Sequence, residues 1–146
     1  MNINWFPGHM KKTRELIQIN LKLVDLVIEL IDARIPFSSR NPEMQVLAKG
    51  KRRILLFNKC DLANPQHTKE WKEYYESQGE TVFLMTALSP KDIARFLRFM
   101  DQIGQEQQKK KEAKGIILNQ VRAMIIGIPN VGKSTFINSL VGKKSA

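Results

Sequence analysis

The chain has 146 residues, the size of one compact domain, and its 42% hydrophobic and 26% charged residues supply enough apolar surface for a core. No apolar run reaches the roughly 18 residues a membrane helix needs, and the N-terminus has no signal-peptide apolar stretch, so a membrane role and export are not expected. The net charge of +10 favours a polyanionic partner such as nucleic acid, and the single cysteine, Cys60, which cannot close an internal disulfide, suits a reducing cytoplasm.

Taken in chain order, residues 9–23 predict a helix, with Leu16, Ile17, Asn20, Leu21 and Val24 at helix-face spacings and only Asn20 polar. Residues 24–31 are β-rich and almost wholly apolar, which predicts a buried strand ending at Asp32. Pro36 and Pro42 bracket a loop, and 43–49 is a short helix. A second buried strand covers 53–58 through Ile54, Leu55, Leu56 and Phe57. Residues 68–78 form a helix closed by Gly79, and 81–86 a third strand. Ser89 and Pro90 start another helix, with Ile93, Phe96, Leu97, Met100 and Ile103 on one stripe. The polar, lysine-rich stretch 104–115 reads as a solvated helix end followed by a linker. Residues 122–126 are a fourth strand and 133–141 the helix after it. Alternating strands and helices with short connections predict a parallel α/β sheet.

The fourth strand runs into Gly127-Ile128-Pro129-Asn130-Val131-Gly132-Lys133-Ser134, a complete G-x-x-x-x-G-K-S. Glycines let such a loop wrap so that successive N–H groups form an anion nest, and the helix that follows adds its positive end at the same spot. The expected phosphate-binding residues are Asn130, Val131, Gly132, Lys133, Ser134 and Thr135. Lys133 reaches the β- and γ-phosphates, and the Ser134 hydroxyl binds Mg²⁺.

A phosphate loop does not choose a base. The second strand, however, ends in Asn58-Lys59-Cys60-Asp61, an N-K-x-D at its carboxyl end, where open α/β sheets bind ligands. An ionised Asp61 accepts from N1–H and N2–H₂ of guanine, a pairing that adenine does not offer. Sites built on such polar pairing discriminate strongly. Asn58 reaches N7, and the stem of Lys59 covers the base face. At the third strand's end, Thr86-Ala87-Leu88 offers the Ala87 backbone N–H to guanine O6, though the triplet departs from the usual Ser-Ala-Lys. Cys60, at the variable position, is an inert filler.

The order of these motifs is unusual: the base-reading residues precede the phosphate loop. A sheet with chain-order strands arranged four-one-two-three accommodates this. With Trp5-Phe6-Pro7-Gly8-His9-Met10 at the start and Asp32-Ala33-Arg34-Ile35-Pro36 after the first strand, the whole chain resembles the circularly permuted ribosome-assembly GTPases of the YlqF/RbgA family. The resemblance implies a Ras-like P-loop fold of three layers and a cytoplasmic GTPase that matures the large ribosomal subunit. It also implies GTP or GDP with Mg²⁺ at Ser134, K⁺ stimulation through Asn130, and a precursor subunit and its rRNA as partners; no DNA partner is expected. Members of that family continue into a switch I loop with a threonine, a D-x-x-G and a helical C-terminal RNA-binding region. The expectation is therefore one domain over 1–146 that lacks these parts. The resemblance further implies that His9, in place of the usual glutamine, orients or deprotonates the attacking water; the alternative for His9 is a structural helix start.

Other features are decoys. Asp101-Gln102-Ile103-Gly104 spells D-x-x-G but falls on the stripe of a helix. Asp32 closes a hydrophobic strand as a metal-binding aspartate of a nucleotide site does, yet the resemblance assigns that strand elsewhere. His67 is a surface residue in a loop, and Trp5 and Phe6 are packing residues rather than RNA-stacking platforms. Two other functions remain open at this stage: a P-loop ATPase or kinase, which Asp61 opposes, and an RNA-binding module with a vestigial nucleotide site.

Overall fold

The computed structural model describes residues 2–5, 10–87, 89–112, 121–127 and 132–145, with side chains for 14–87, 89–110, 121–127 and 132–142. Its strands are Asn2–Trp5 (β1), Leu26–Asp32 (β2), Arg52–Asn58 (β3), Thr81–Leu84 (β4) and Arg122–Ile126 (β5). They form one parallel sheet in the order β1-β5-β2-β3-β4. The four expected strands thus lie in the expected four-one-two-three arrangement. The short edge strand β1, paired from Asn2 opposite Arg122 to Trp5 opposite Ile125, is an addition.

The helices are Met10–Leu21 (α1), Pro42–Leu47 (α2), Pro65–Ser77 (α3), Pro90–Glu112 (α4) and Lys133–Ser145 (α5). They cover both sides of the sheet because strand side chains alternate between its faces. Val27, Met124 and Ile126 pack with Ile17 and Leu21 of α1 and Met44 of α2. Ile31, Leu55, Phe57 and Val82 pack with Tyr75 of α3. On the other face, Ile28, Leu30, Ile54, Leu56 and Ile125 meet Ile93, Phe96, Met100 and Ile103 of α4 and Phe136 and Leu140 of α5. Phe96 makes edge-on contacts with both Phe83 and Phe136, so β4, α4 and α5 share one core.

The structure fixes two helix boundaries. The polar, lysine-rich stretch 104–115, read as a solvated helix end followed by a linker, is helical to Glu112, and residues 113–115 lie outside the described residues. Gly104 lies within α4, where a Cβ would come within 3.0 Å of a Val121 methyl, so the glycine marks close packing. The third helix begins at Pro65, capped by Asn64, whose side chain accepts from the N–H groups of Gln66 and His67. His67 is therefore exposed in the first turn of α3 rather than in a loop.

A buried ion pair interrupts the apolar β2. Glu29 and Arg40 are almost fully buried, and their two hydrogen bonds measure 2.8 and 3.1 Å. Burial disfavours the Arg40 charge, but the hydrogen bonds and field of Glu29 win and raise its pKa above the usual value. Its guanidinium also lies 5.1 Å from the centre of the Tyr75 ring. Arg40→Ala leaves a buried carboxylate unpaired, so it should lower unfolding stability by about 3–5 kcal/mol in urea denaturation. Replacing both residues with leucine should recover much of that loss. If Arg40→Ala unfolds at the wild-type urea concentration, the pair does not hold the loop to the sheet.

Candidate nucleotide site

Parallel pairing brings the carboxyl ends of β5, β2, β3 and β4 to one edge, where crossover loops leave backbone groups for a ligand. β5 delivers Gly127, and α5 starts at Lys133. The Phe136 N–H donates to Gly132 O at 2.9 Å, so helical bonding begins at Gly132. A helix's first N–H groups have no partner within it, and here they belong to the expected phosphate residues Lys133, Ser134 and Thr135. Lys133 Nζ donates to Gly127 O at 3.2 Å, tying the start of α5 to the end of β5. Burial lowers the pKa of this lysine from its usual value. Ser134 and Thr135 are exposed. Asn130, Val131 and His9 lie outside the described residues.

The base-reading residues form a second cluster. Asn58 ends β3 as a residue only 2% exposed, and Lys59 then turns in the left-handed region, at φ 62°. That turn starts the 3₁₀ segment Cys60–Leu62, which presents Asp61 to solvent. The Thr86 hydroxyl donates to Asp61 Oδ1 at 3.2 Å, joining the ends of β3 and β4. Ala87 N–H donates to Asn58 Oδ1 at 2.8 Å. The donor expected for guanine O6 and the amide expected at N7 are thus bonded to each other, so a base arriving there would compete with Asn58 for the Ala87 N–H.

Asn58 also spans the two clusters. A Cβ built on Gly132 would lie 2.6 Å from Asn58 Nδ2, and Gly132 has φ +89°. Both the backbone angle and the contact demand glycine at this position. The stem of Lys59 packs nearby, its Cε 3.7 Å from the same point. One asparagine amide is therefore wedged between the last residue of the phosphate loop and the turn after β4.

Asp32 is not available as a metal ligand in this arrangement. Arg34 binds it with Nε at 3.0 Å and an Nη at 2.7 Å, and Lys59 Nζ lies 3.7 Å away. The Arg34 side chain holds the carboxyl below its usual pKa against the effect of burial, helped by the Arg34 N–H and Lys59. Asp32 instead braces Lys59 beside the base-reading turn. The Asp101–Gly104 decoy lies within α4, as expected. Burial pushes the Cys60 thiol up to about 11, which makes it a poor nucleophile at neutral pH and fits an inert filler. Among the described residues no three His, Cys, Asp or Glu side chains come together to hold a metal ion.

Two residues at this edge escape a reading of motifs. Asp92, in the first turn of α4, accepts the Thr86 N–H at 2.8 Å. Ser139, in α5, approaches Ala87 O with its hydroxyl at 2.9 Å. Ser89 beside Pro90 marked the helix start that carries Asp92, but no sequence spacing marked Ser139.

The chain is similar to several known proteins. A family profile described as 50S ribosome-binding GTPase matches residues 122–146. Ribosome biogenesis GTPase A of Bacillus pumilus is 44% identical over 146 residues, all of this chain and 52% of that protein. The protein of the same name from Priestia megaterium is 46% identical over 147 residues, all of this chain and 51% of its own length. The crystal structure of GNP-bound YlqF from Thermotoga maritima superposes with a TM-score of 0.65 at 32% identity, covering 90% of this chain and 48% of that one. The chain therefore spans about half the length of the curated relatives it matches. No helix among the described residues is long and apolar enough to cross a membrane. Over its whole length the chain is thus similar to proteins named ribosome biogenesis GTPase A, and it shares the P-loop GTPase fold of the YlqF structure with the phosphate loop following the base-reading turn.

Proposed function

We propose that this chain forms the guanine-nucleotide-binding part of a cytoplasmic GTPase that acts in assembly of the large ribosomal subunit. The observation that carries the proposal is the wedge of Asn58 between Gly132 and Ala87, which makes one site of a phosphate loop and an N-K-x-D turn. Residues 1–146 constitute the permuted nucleotide-binding domain, to which a switch I loop, a D-x-x-G and an RNA-binding region are added in the complete protein. Lys133, Ser134, Thr135 and the backbone of Asn130, Val131 and Gly132 grip the phosphates. Asp61 reads N1–H and N2–H₂, while Lys59 covers the base and Thr86 and Ala87 line its O6 edge. An exposed serine hydroxyl at the start of a helix suits a hard cation that takes its other oxygens from phosphates and water. Ser134 would hold Mg²⁺, which supplies neutralisation of developing phosphate charge. Asn130 is the residue we assign to K⁺. The net charge of +10 suits rRNA on the precursor subunit as the partner.

His9 is our candidate for the residue that orients or deprotonates the attacking water. Its flanks support this reading. Trp5 ends β1 opposite Ile125, two residues before Gly127. α1 leads from Met10 back to the start of β2, so its first turn belongs to the sheet's carboxyl edge. In the full-length protein, His9→Ala should slow subunit-stimulated GTP hydrolysis by on the order of a hundredfold while GDP affinity holds. Turnover near wild type would make His9 structural. The nucleotide assignment has its own test, competition for labelled GDP by unlabelled GDP, GTP and ATP. Only the guanine nucleotides should compete, and equal competition by ATP would overturn the reading.

A further inference from the structure

We infer that Ser139 is a positioning residue for base recognition: its hydroxyl pins the Thr86-Ala87 turn onto α5, the helix that the phosphate loop opens into. The inference rests on the guanine assignment above. Ser139 lies six residues past Lys133, and its Oγ is 2.9 Å from Ala87 O and 2.8 Å from Thr135 O. A serine hydroxyl has one proton to give. Thr135 O is the i−4 carbonyl of the same helix and already accepts the Ser139 backbone N–H in regular helical bonding. Ala87 O lies on a different element, 52 residues away in the chain. Donation there is the contact that joins α5 to the loop.

The turn that Ser139 reaches is held from every other side. Thr86 N–H goes to Asp92, Thr86 Oγ to Asp61, and Ala87 N–H to Asn58. Each of these restrains a different group, and the Ala87 carbonyl is the group Ser139 restrains. A peptide plane fixed at its oxygen cannot rotate without breaking that bond, and the Ala87 N–H on the preceding plane moves with the same residue. Phe136 packs against Phe96 one turn earlier on α5, so the serine is carried by a rigid part of the helix. α5 thereby touches the phosphates with its first turn and the base-reading turn with its second, a direct link between two halves of the site that are distant in sequence.

The test compares GDP with inorganic pyrophosphate, which needs the phosphate loop and not the base turn. Ser139→Ala should speed GDP release about tenfold, the usual effect of losing one hydrogen bond at a site. Ser139→Cys, close in shape but a weak donor, should do nearly the same, and Ser139→Thr should retain near-wild-type release. Pyrophosphate affinity and the unliganded melting temperature should stay at wild-type values in all three. GDP release unchanged in both Ala and Cys variants would overturn the inference. Equal weakening of GDP and pyrophosphate would also overturn it, since the hydroxyl would then serve α5 and the phosphate loop. Failure of the wild-type protein to bind GDP would instead remove the guanine assignment itself, independently of any Ser139 variant.

Discussion

Lys133→Ala should reduce affinity for both GDP and GTP by about a hundredfold or more in equilibrium titration. A charge-assisted hydrogen bond contributes about 1.5–3 kcal/mol, and this ammonium is the cation that we propose for the phosphates. The side chain is already bonded to Gly127 O at 3.2 Å, so little ordering is needed when an anion arrives. Burial lowers its pKa, which means that the folded protein holds this charge at a cost before any ligand binds. A lysine depressed in the folded state subtracts stability where it is protonated, and that subtraction fades as pH rises through the folded pKa. Removing it should therefore leave the unliganded protein as stable as wild type or more so, the opposite of the effect on binding. A bound phosphate reverses the balance by favouring the protonated form. Wild-type affinity in the alanine variant would mean that the phosphates bind elsewhere; a collapse of stability would mean that Lys133 is a packing residue.

The parts of the molecule that could be read from sequence are those whose determinants are local. G-x-x-x-x-G-K-S and N-K-x-D each hold their chemistry within a few consecutive residues, and each sits at a strand end marked by an apolar run. β2, β3 and β5 were legible because parallel strands buried on both faces read as continuous hydrophobic stretches. Features made by distant residues were not legible. Glu29 in β2 makes sense only with Arg40, eleven positions on in a loop. The contacts of Asn58 with Gly132 and Ala87 bring three segments together, so the sequence indicated a base contact where the structure has a brace. Four residues without an apolar run gave no sign of β1, whose pairing with β5 supplies the missing reason. The close packing at Gly104 was not legible either, because the Val121 side chain that it faces lies 17 residues away. Ser139 and Asp92 face the site from helices whose stripes report only core packing.

Asp61→Asn should convert the site from guanine to xanthine. The carboxylate is exposed and held through one oxygen by the Thr86 hydroxyl at 3.2 Å. An asparagine keeps an oxygen that can accept from Thr86, so the turn and the fold should survive. What changes is the other side of the group. Guanine presents donors at N1 and N2, and the new amide nitrogen is itself a donor, so one pairing becomes a donor facing a donor. Xanthine carries a carbonyl oxygen in place of the 2-amino group and accepts from that nitrogen. Sites that recognise a ligand by buried polar pairing reject the mismatched base by factors on the order of ten thousand. Because Asp61 is open to water, a loss of GDP affinity on the order of a thousandfold is the expected scale here. Xanthosine diphosphate should bind the variant more tightly than it binds wild type. Equilibrium binding of GDP, xanthosine diphosphate and ADP to both proteins measures the three affinities directly. GDP bound equally by both would remove Asp61 from base recognition. GDP and ADP weakened alike, with no gain for xanthosine diphosphate, would show a damaged turn rather than a changed reading. A gain for xanthosine diphosphate is the result that only a direct contact between this side chain and the base edge produces.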